Sequence, residues 1–251
     1  MKVALLSWSD LASGAFIATH RLKQALEDAG TRTAMVVARR LGTSPTTIGP
    51  IRFLDRAATM VSPYLDALPT RFYRGREQTL FSPACVPDRV LPRISSIEPD
   101  VVHLHWINYG YLHPRTMAKF RKPLLWTFHD MWPMTGGCHY ASGCTRYEHE
   151  CGACPSLLST RERDLSSRVW ERKKAAWRDL SITIIAPSRW MADCARRSSL
   201  FSTSRIEVIP NCLDTERFRP LDRAACRNIL GLPQEAKIVL FVAMTAGRDK
   251  R

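Results

Sequence analysis

Two histidine-bearing strings and a set of four cysteines hold most of the side chains in this sequence that could do chemistry. VVHLHWINYGYL, starting at Val101, carries His103, His105, Trp106 and Asn108; KPLLWTFHDMWPMTGGCHY, starting at Lys122, carries His129, Asp130 and Trp132. A histidine can donate to a sugar hydroxyl or a phosphate near neutral pH, and a carboxylate can accept from hydroxyls or orient that histidine. His129–Asp130 stands where an apolar run gives way to a Pro- and Gly-containing loop, a place where binding residues concentrate. His103 and His105 alternate along one run and read individually as packed core residues.

The cysteines follow at Cys138, Cys144, Cys151 and Cys154, spaced C-x5-C-x6-C-x2-C. The Cys151-Gly-Ala-Cys154 knuckle could supply two thiolates to zinc. Cys138 and Cys144, or His139 and His149 in their place, would close a tetrahedron. A reducing cytoplasm disfavours disulfides, which leaves a structural zinc and free thiols as the alternatives. Four thiolates fill the coordination sphere, so such a metal would shape the loop and take no part in catalysis. A third constellation is Ser9-Asp10-Leu11-Ala12-Ser13-Gly14-Ala15, running into a helix. Small residues there let backbone amides approach a phosphate. It is neither of the familiar glycine-rich nucleotide fingerprints, and Ser13 reads equally well as a plain helix cap.

Positioning these residues requires strands that end beside one another. Val3–Ser7, Ala34–Ala38, Asp100–Trp106, Pro123–His129, Ile182–Ser188 and Ile206–Pro210 read as strands, with a helix over Ala15–Ala29 ended by Gly30. Near-continuous apolar strands separated by helical stretches predict an α/β fold, a Rossmann-like parallel sheet with helices on both faces. Between Gly42 and Pro87 the pattern loosens into loops around one short helix near Asp55–Leu68. Arg161–Leu180 is strongly helical, with Leu165, Val169, Trp170, Ala176, Trp177 and Leu180 on one face. That face predicts packing on the sheet; its alternative is a basic helix lying on an anionic membrane, with Arg172, Lys173 and Lys174 toward the lipid. A helix over Asp222–Leu230 and a strand over Lys237–Met244 come last.

The chain has 251 residues, is 45% hydrophobic, and carries 37 basic against 23 acidic residues for a net charge of +14. No apolar stretch reaches the ~18–20 residues of a membrane span. The N-terminus is too polar after Ser7 for a secretion signal, so a cytoplasmic location is expected. The positive charge calls for an anionic partner, but it is spread out and forms no block of the kind that marks a nucleic-acid arm.

HLHWINYGYL, WTFHDMWPMTGGCHY with the cysteines and CGACP, IIAPSRWM and VIPNCLDTERFRP occur in this order along nearly the whole chain. Together they resemble the N-terminal half of a family 4 glycosyltransferase of the bacterial capsular or exopolysaccharide, colanic-acid-like type. The resemblance implies a GT-B architecture, with transfer of a sugar from a nucleotide-sugar donor to a glycan or lipid-linked acceptor. It further implies retention of configuration without a catalytic metal ion. By resemblance Ser13, Gly14 and Ala15 lie near the donor diphosphate, although the family usually has Gly-Gly-Ala there. His129 contacts the transferring sugar, Asp130 lies beside it, and His105, Trp106, Asn108 and Trp132 line the acceptor side. Pro210–Asn211 and Asp214 match the interdomain hinge, with Cys212 where a glycine is usual.

The same resemblance divides the chain into an acceptor-side domain over 1–210 and the hinge and opening of a donor domain over 211–251. Lys250 and Arg251 stand where the first basic donor contacts begin. The Glu-x7-Glu signature of the donor domain is absent. A truncated chain with little activity of its own is therefore expected, peripheral contact with the inner face of the cell membrane being compatible with it. The rivals are a non-catalytic acceptor-binding remnant, a zinc-stabilised nucleic-acid-binding module, and another α/β nucleotide enzyme; buried strands and the missing glycine fingerprint weigh against the last two.

Overall fold

A computed structural model of the protein describes residues 1–11 and 13–240. Seven strands form one parallel sheet: β1 (Lys2–Ser9), β2 (Arg32–Arg39), β3 (Thr47–Ile48), β4 (Val101–Leu104), β5 (Leu124–Thr127), β6 (Ile182–Ala186) and β7 (Arg205–Val208). Their spatial order is β3-β2-β1-β4-β5-β6-β7. The helices are α1 (Gly14–Asp28), α2 (Phe53–Ala67), α3 (Leu91–Ser95), α4 (Pro114–Met117), α5 (Leu165–Trp177), α6 (Arg189–Arg197) and α7 (Arg223–Leu230). This is the Rossmann-like sheet expected from the alternating pattern.

Burial on both faces explains why the strands are apolar throughout. On one face Val3, Leu5, Met35 and Val37 meet Leu22 of α1. On the other, Leu6, Val36, Leu104, Trp126 and Ile184 receive Ile94 of α3, Met117 of α4 and Trp177 of α5. Trp126 anchors that side, its ring meeting Trp177 edge-on at 5.3 Å between centroids. Gly30 ends α1 at φ +78, a left-handed conformation that glycine adopts without strain. Strand β3 escapes the sequence pattern because two residues carry no periodicity. Helix α6 is not among the expected elements, although RWMADCARR buries Met191, Ala192, Cys194 and Ala195 on one face and Ser188 caps it by accepting from Met191 N–H.

Two helices depart from expectation in opposite ways. Helix α5 begins at Leu165 rather than Arg161, because Asp164 caps it by accepting from Ser166 and Ser167 N–H. Trp170, Lys173 and Trp177 are all buried, so the face that could have met a membrane lies in the core. Helix α2 is inside out. Its buried residues are Ser62 and Asp66, which bond to Tyr109 O and to the N–H groups of Ala84 and Cys85. Its apolar residues face outward: Phe53 is 82% exposed, Met60 74%, Tyr64 75%, and Phe72 in the following 3-10 turn 83%.

The chain divides into two compact units, Met1–Cys212 and Leu213–Arg251. The second contains α7, capped by Asp222 and ended by Gly231 at φ +65. Residues 237–240 of the expected strand Lys237–Met244 have no regular structure. The remainder of that strand, the loop 247–251, Lys250 and Arg251 lie outside the described residues. No helix among the described residues is long and apolar enough to cross a membrane.

Asp164 joins α5 to the cysteine loop, accepting also from Cys154 N–H at 2.9 Å and Ser166 Oγ at 2.7 Å. Asp164→Ala removes a cap and orphans a buried amide, and should cost about 2–4 kcal/mol. Urea unfolding measures this, and Asp164→Asn should recover part of the loss.

Candidate functional site

From β1 the chain proceeds to β2 and β3 on one side, then returns to β4 on the other side of β1. Loops leaving the carboxyl ends of β1 and β4 therefore diverge and open a crevice, where ligands bind in open α/β sheets. Trp8 N–H donates to Trp106 O at 2.8 Å and ties the two loops together. At the mouth, α1 begins after Ser13 in an extended conformation, with no side-chain hydrogen bond capping it. Gly14 is exposed, and a Cβ placed there would meet nothing within 4 Å. Ser13 is thus not the side-chain cap that spacing allowed. The first amides of α1 face an open approach with the positive end of the helix dipole behind them.

Strand register decides which side chains meet. Leu5 pairs with His103, and His103 with Leu125, so alternate residues continue one face toward the crevice. His103 Nε2 lies 2.9 Å from Thr127 Oγ1, and His105 Nδ1 lies 3.0 Å from His129 Nε2. The His103 and His105 rings stand 4.3 Å apart, and His105 and His129 5.3 Å apart. His103 and His105 are buried, while His129, at the crevice end, is half-buried. Burial pushes all three pKa values down. His103 falls to about 3, His105 well below its ordinary value with neighbouring imidazoles adding to the effect, and His129 to about 4 despite the opposing pull of Asp130. At neutral pH His129 therefore offers an uncharged imidazole, suited to a hydroxyl.

Asp130, next along the chain, points to the opposite face. It accepts from Trp106 Nε1 at 2.8 Å, Trp132 N–H at 2.9 Å and His139 Nδ1 at 2.6 Å. His139 Nε2 in turn lies 2.9 Å from Ser82 Oγ. Burial works to raise the Asp130 pKa, but His139 and the other donors together hold it below the ordinary carboxylate value. Asp130 thus orients His139 and Trp106, not His129 as the adjacency in sequence suggests. Both partners, HD and CHY, stood in one quoted string; their pairing needed the loop to fold back.

The other expected site residues divide clearly. Trp106 is half-buried, its ring edge-on to Phe16 at 5.6 Å and Tyr109 at 4.6 Å. Asn108 is 3% exposed, and its Oδ1 is buried without a partner. So are Ser7 Oγ, Ser9 Oγ, Trp8 Nε1 and His105 Nε2, all near the carboxyl ends of β1 and β4. Buried polar atoms left open in this way mark where water or a ligand completes the bonding. Trp132, by contrast, is 1% exposed and donates to Ser82 O. It has no surface to offer an acceptor and supports the loop from within the core. The four loop cysteines are free thiols lining one small cavity.

Sequence reasoning missed a concavity of about 900 Å³, which opens beside the crevice between the ends of β1 and β2 and helix α2. Trp8, Tyr64 and Tyr109 give it aromatic walls, and Arg39, Arg40 and Arg56 give it positive charge. The available signal was the Arg39-Arg40 pair directly after β2.

A Rossmann-like sheet with an open helix start and an uncharged histidine at its switch point matches one half of a GT-B fold in outline. The model of Glycosyltransferase Family 4 matches residues 12–217, and the chain belongs to that family. It is 29% identical over 130 residues to an Escherichia coli (strain K12) protein described as a colanic acid biosynthesis glycosyl transferase, WcaC. That alignment covers 46% of this chain and 32% of the relative. Sucrose-phosphate synthase from Thermosynechococcus elongatus shares the fold, with a TM-score of 0.51 at 18% identity over 92% of this chain and 53% of that one. The chain thus spans about half of its structural neighbour.

The depressed histidines make stability pH-dependent. Below the unfolded value of 6.5 and above the folded values, the unfolded chain binds protons that the folded chain refuses. Stability should therefore fall on acidification from about pH 6.5, with a slope of roughly 1.4 kcal/mol per pH unit for each such histidine. His103→Gln should remove one histidine's share of the slope, read from urea midpoints at several pH values.

Proposed function

We propose that this protein takes part in transferring a sugar from a nucleotide-sugar donor to a lipid-linked glycan acceptor during exopolysaccharide biosynthesis, with retention of configuration and no catalytic metal. Family membership and the name of the E. coli relative support the reaction class and pathway type. The observation that carries the acceptor assignment is the arginine-bearing cavity beside the outward-facing apolar surface of α2. A lipid-linked glycan joins those two chemistries in one molecule, an anionic phosphate group next to a hydrocarbon chain.

On this reading α2 and the turn after it rest on the bilayer. Phe53, Leu54, Met60, Leu65 and Phe72 enter the interface while exposed Arg52, Arg71 and Arg74 meet anionic headgroups. Arg39, Arg40 and Arg56 then receive the acceptor phosphate. The open start of α1 stabilises charge developing on the leaving diphosphate. His129, uncharged, positions a hydroxyl of the transferring sugar. The second half of a GT-B enzyme closes the donor site and excludes water. The sheet and crevice of residues 1–212 supply one wall of that cleft.

Vesicle sedimentation tests the acceptor side directly. The purified chain should bind vesicles containing phosphatidylglycerol and bind neutral phosphatidylcholine vesicles much less. Phe53→Asp with Phe72→Asp should reduce that binding at least about tenfold, given the cost of placing charge in the interface. Equal, weak binding to both vesicle types would overturn the membrane reading.

A further inference from the structure

The cysteine loop has no part in that chemistry. Between β5 and α5 only short 3-10 turns, Trp132–Met134, Arg146–Glu148 and Pro155–Leu157, interrupt irregular chain. A connection of this length needs its own source of order to offset the entropy of fixing it. Cys138, Cys144, Cys151 and Cys154 all line one cavity of about 20 Å³, space for a single small atom or water. Of the chain's eight cysteines these four alone line it.

Burial pushes the Cys138, Cys151 and Cys154 thiols above their ordinary pKa, while backbone amides lie close to the sulfurs. Gly136 N–H donates to Cys151 Sγ at 3.1 Å, and Leu157 N–H donates to the Cys154 carbonyl at 3.1 Å. Backbone is wrapped closely around the loop. A Cβ on Gly136 would stand 2.3 Å from Ser166 O, and one on Gly152 2.2 Å from Glu162 O. Lys173 approaches from α5 with its side chain fully buried. Its Nζ donates to the carbonyls of Trp132 and Thr135 and lies 3.5 Å over the Trp132 ring. The Cys151 and Cys138 sulfurs and Asp130 are nearby groups that act on its charge.

We propose that Cys138, Cys144, Cys151 and Cys154 bind one zinc ion as a four-thiolate structural site, which fixes the loop carrying His139 against Asp130. As placed, the side chains surround the cavity without yet converging: no three His, Cys, Asp or Glu side chains among the described residues are arranged as metal ligands. Binding turns the sulfurs inward. Each thiol releases its proton to solvent as a zinc–sulfur bond forms, and nothing is oxidised or reduced. The filled sphere leaves no open position for substrate.

Elemental analysis of protein purified without chelator or added metal tests this. About one zinc per chain is expected, with a lower unfolding temperature after chelation, and thiolate-to-cobalt absorption bands when Co²⁺ replaces zinc. Cys151→Ser with Cys154→Ser should lose the metal, while Cys85→Ser with Cys212→Ser should keep it. Folded wild-type protein with no zinc and no thiolate–cobalt bands overturns the proposal even where the loop variant fails to fold. Zinc retained in full by a folded loop variant, or loop cysteines recovered as disulfides, overturns it as well.

Discussion

The buried carboxylate of Asp130 is the point on which the site's geometry depends. Three donors from three places converge on it: Trp106 after β4, the Trp132 amide in the next turn, and His139 from the returning loop. A charge this deep is tolerable only because its oxygens are met by donors. Removing any donor leaves that charge underbonded, so the arrangement holds as a unit. Trp106 is thereby fixed at the crevice, and the loop after β5 is folded back far enough to bring the cysteines together.

Beneath that loop Lys173 takes hold of the carbonyls of Trp132 and Thr135. Burial pushes its pKa down to about 7, with the nearby thiols and Asp130 opposing the shift. The loop is thus held from above by a carboxylate and from below by an amine, with Trp132 between them. Helix α5, which carries Lys173, is joined to the same loop by Asp164. The crevice, the loop and the helix behind it form one connected piece.

On the opposite side of the crevice the usual arrangement of a surface helix is reversed. Helix α2 uses Ser62 and Asp66 to hold the molecule and leaves Phe53, Met60 and Tyr64 to the outside. An exposed apolar surface of this kind is a mark of a binding face. The arginine-lined cavity begins where that surface ends, so polar and apolar recognition sit side by side.

The sequence by itself determined the sheet, because strands buried on both faces must be apolar along their length, and Val3–Leu6, Val101–Leu104 and Ile182–Ala186 are plainly so. It also determined the family, since the HDMWPMTGGCHY string and its neighbours occur in order. Periodicity marked α5 as amphipathic but could not say what would meet its apolar face; Trp126 and Phe201 decided that by packing on Trp177. Only the tertiary structure paired His129 with His105 and Asp130 with His139, because adjacent residues at a strand end point to opposite faces. Only it gathered Arg39, Arg40 and Arg56 around one cavity, since residues so spaced meet solely through the path of the chain from β2 through β3 into α2. Local preference writes the elements; which side chains face each other is settled by register and by how the loops return.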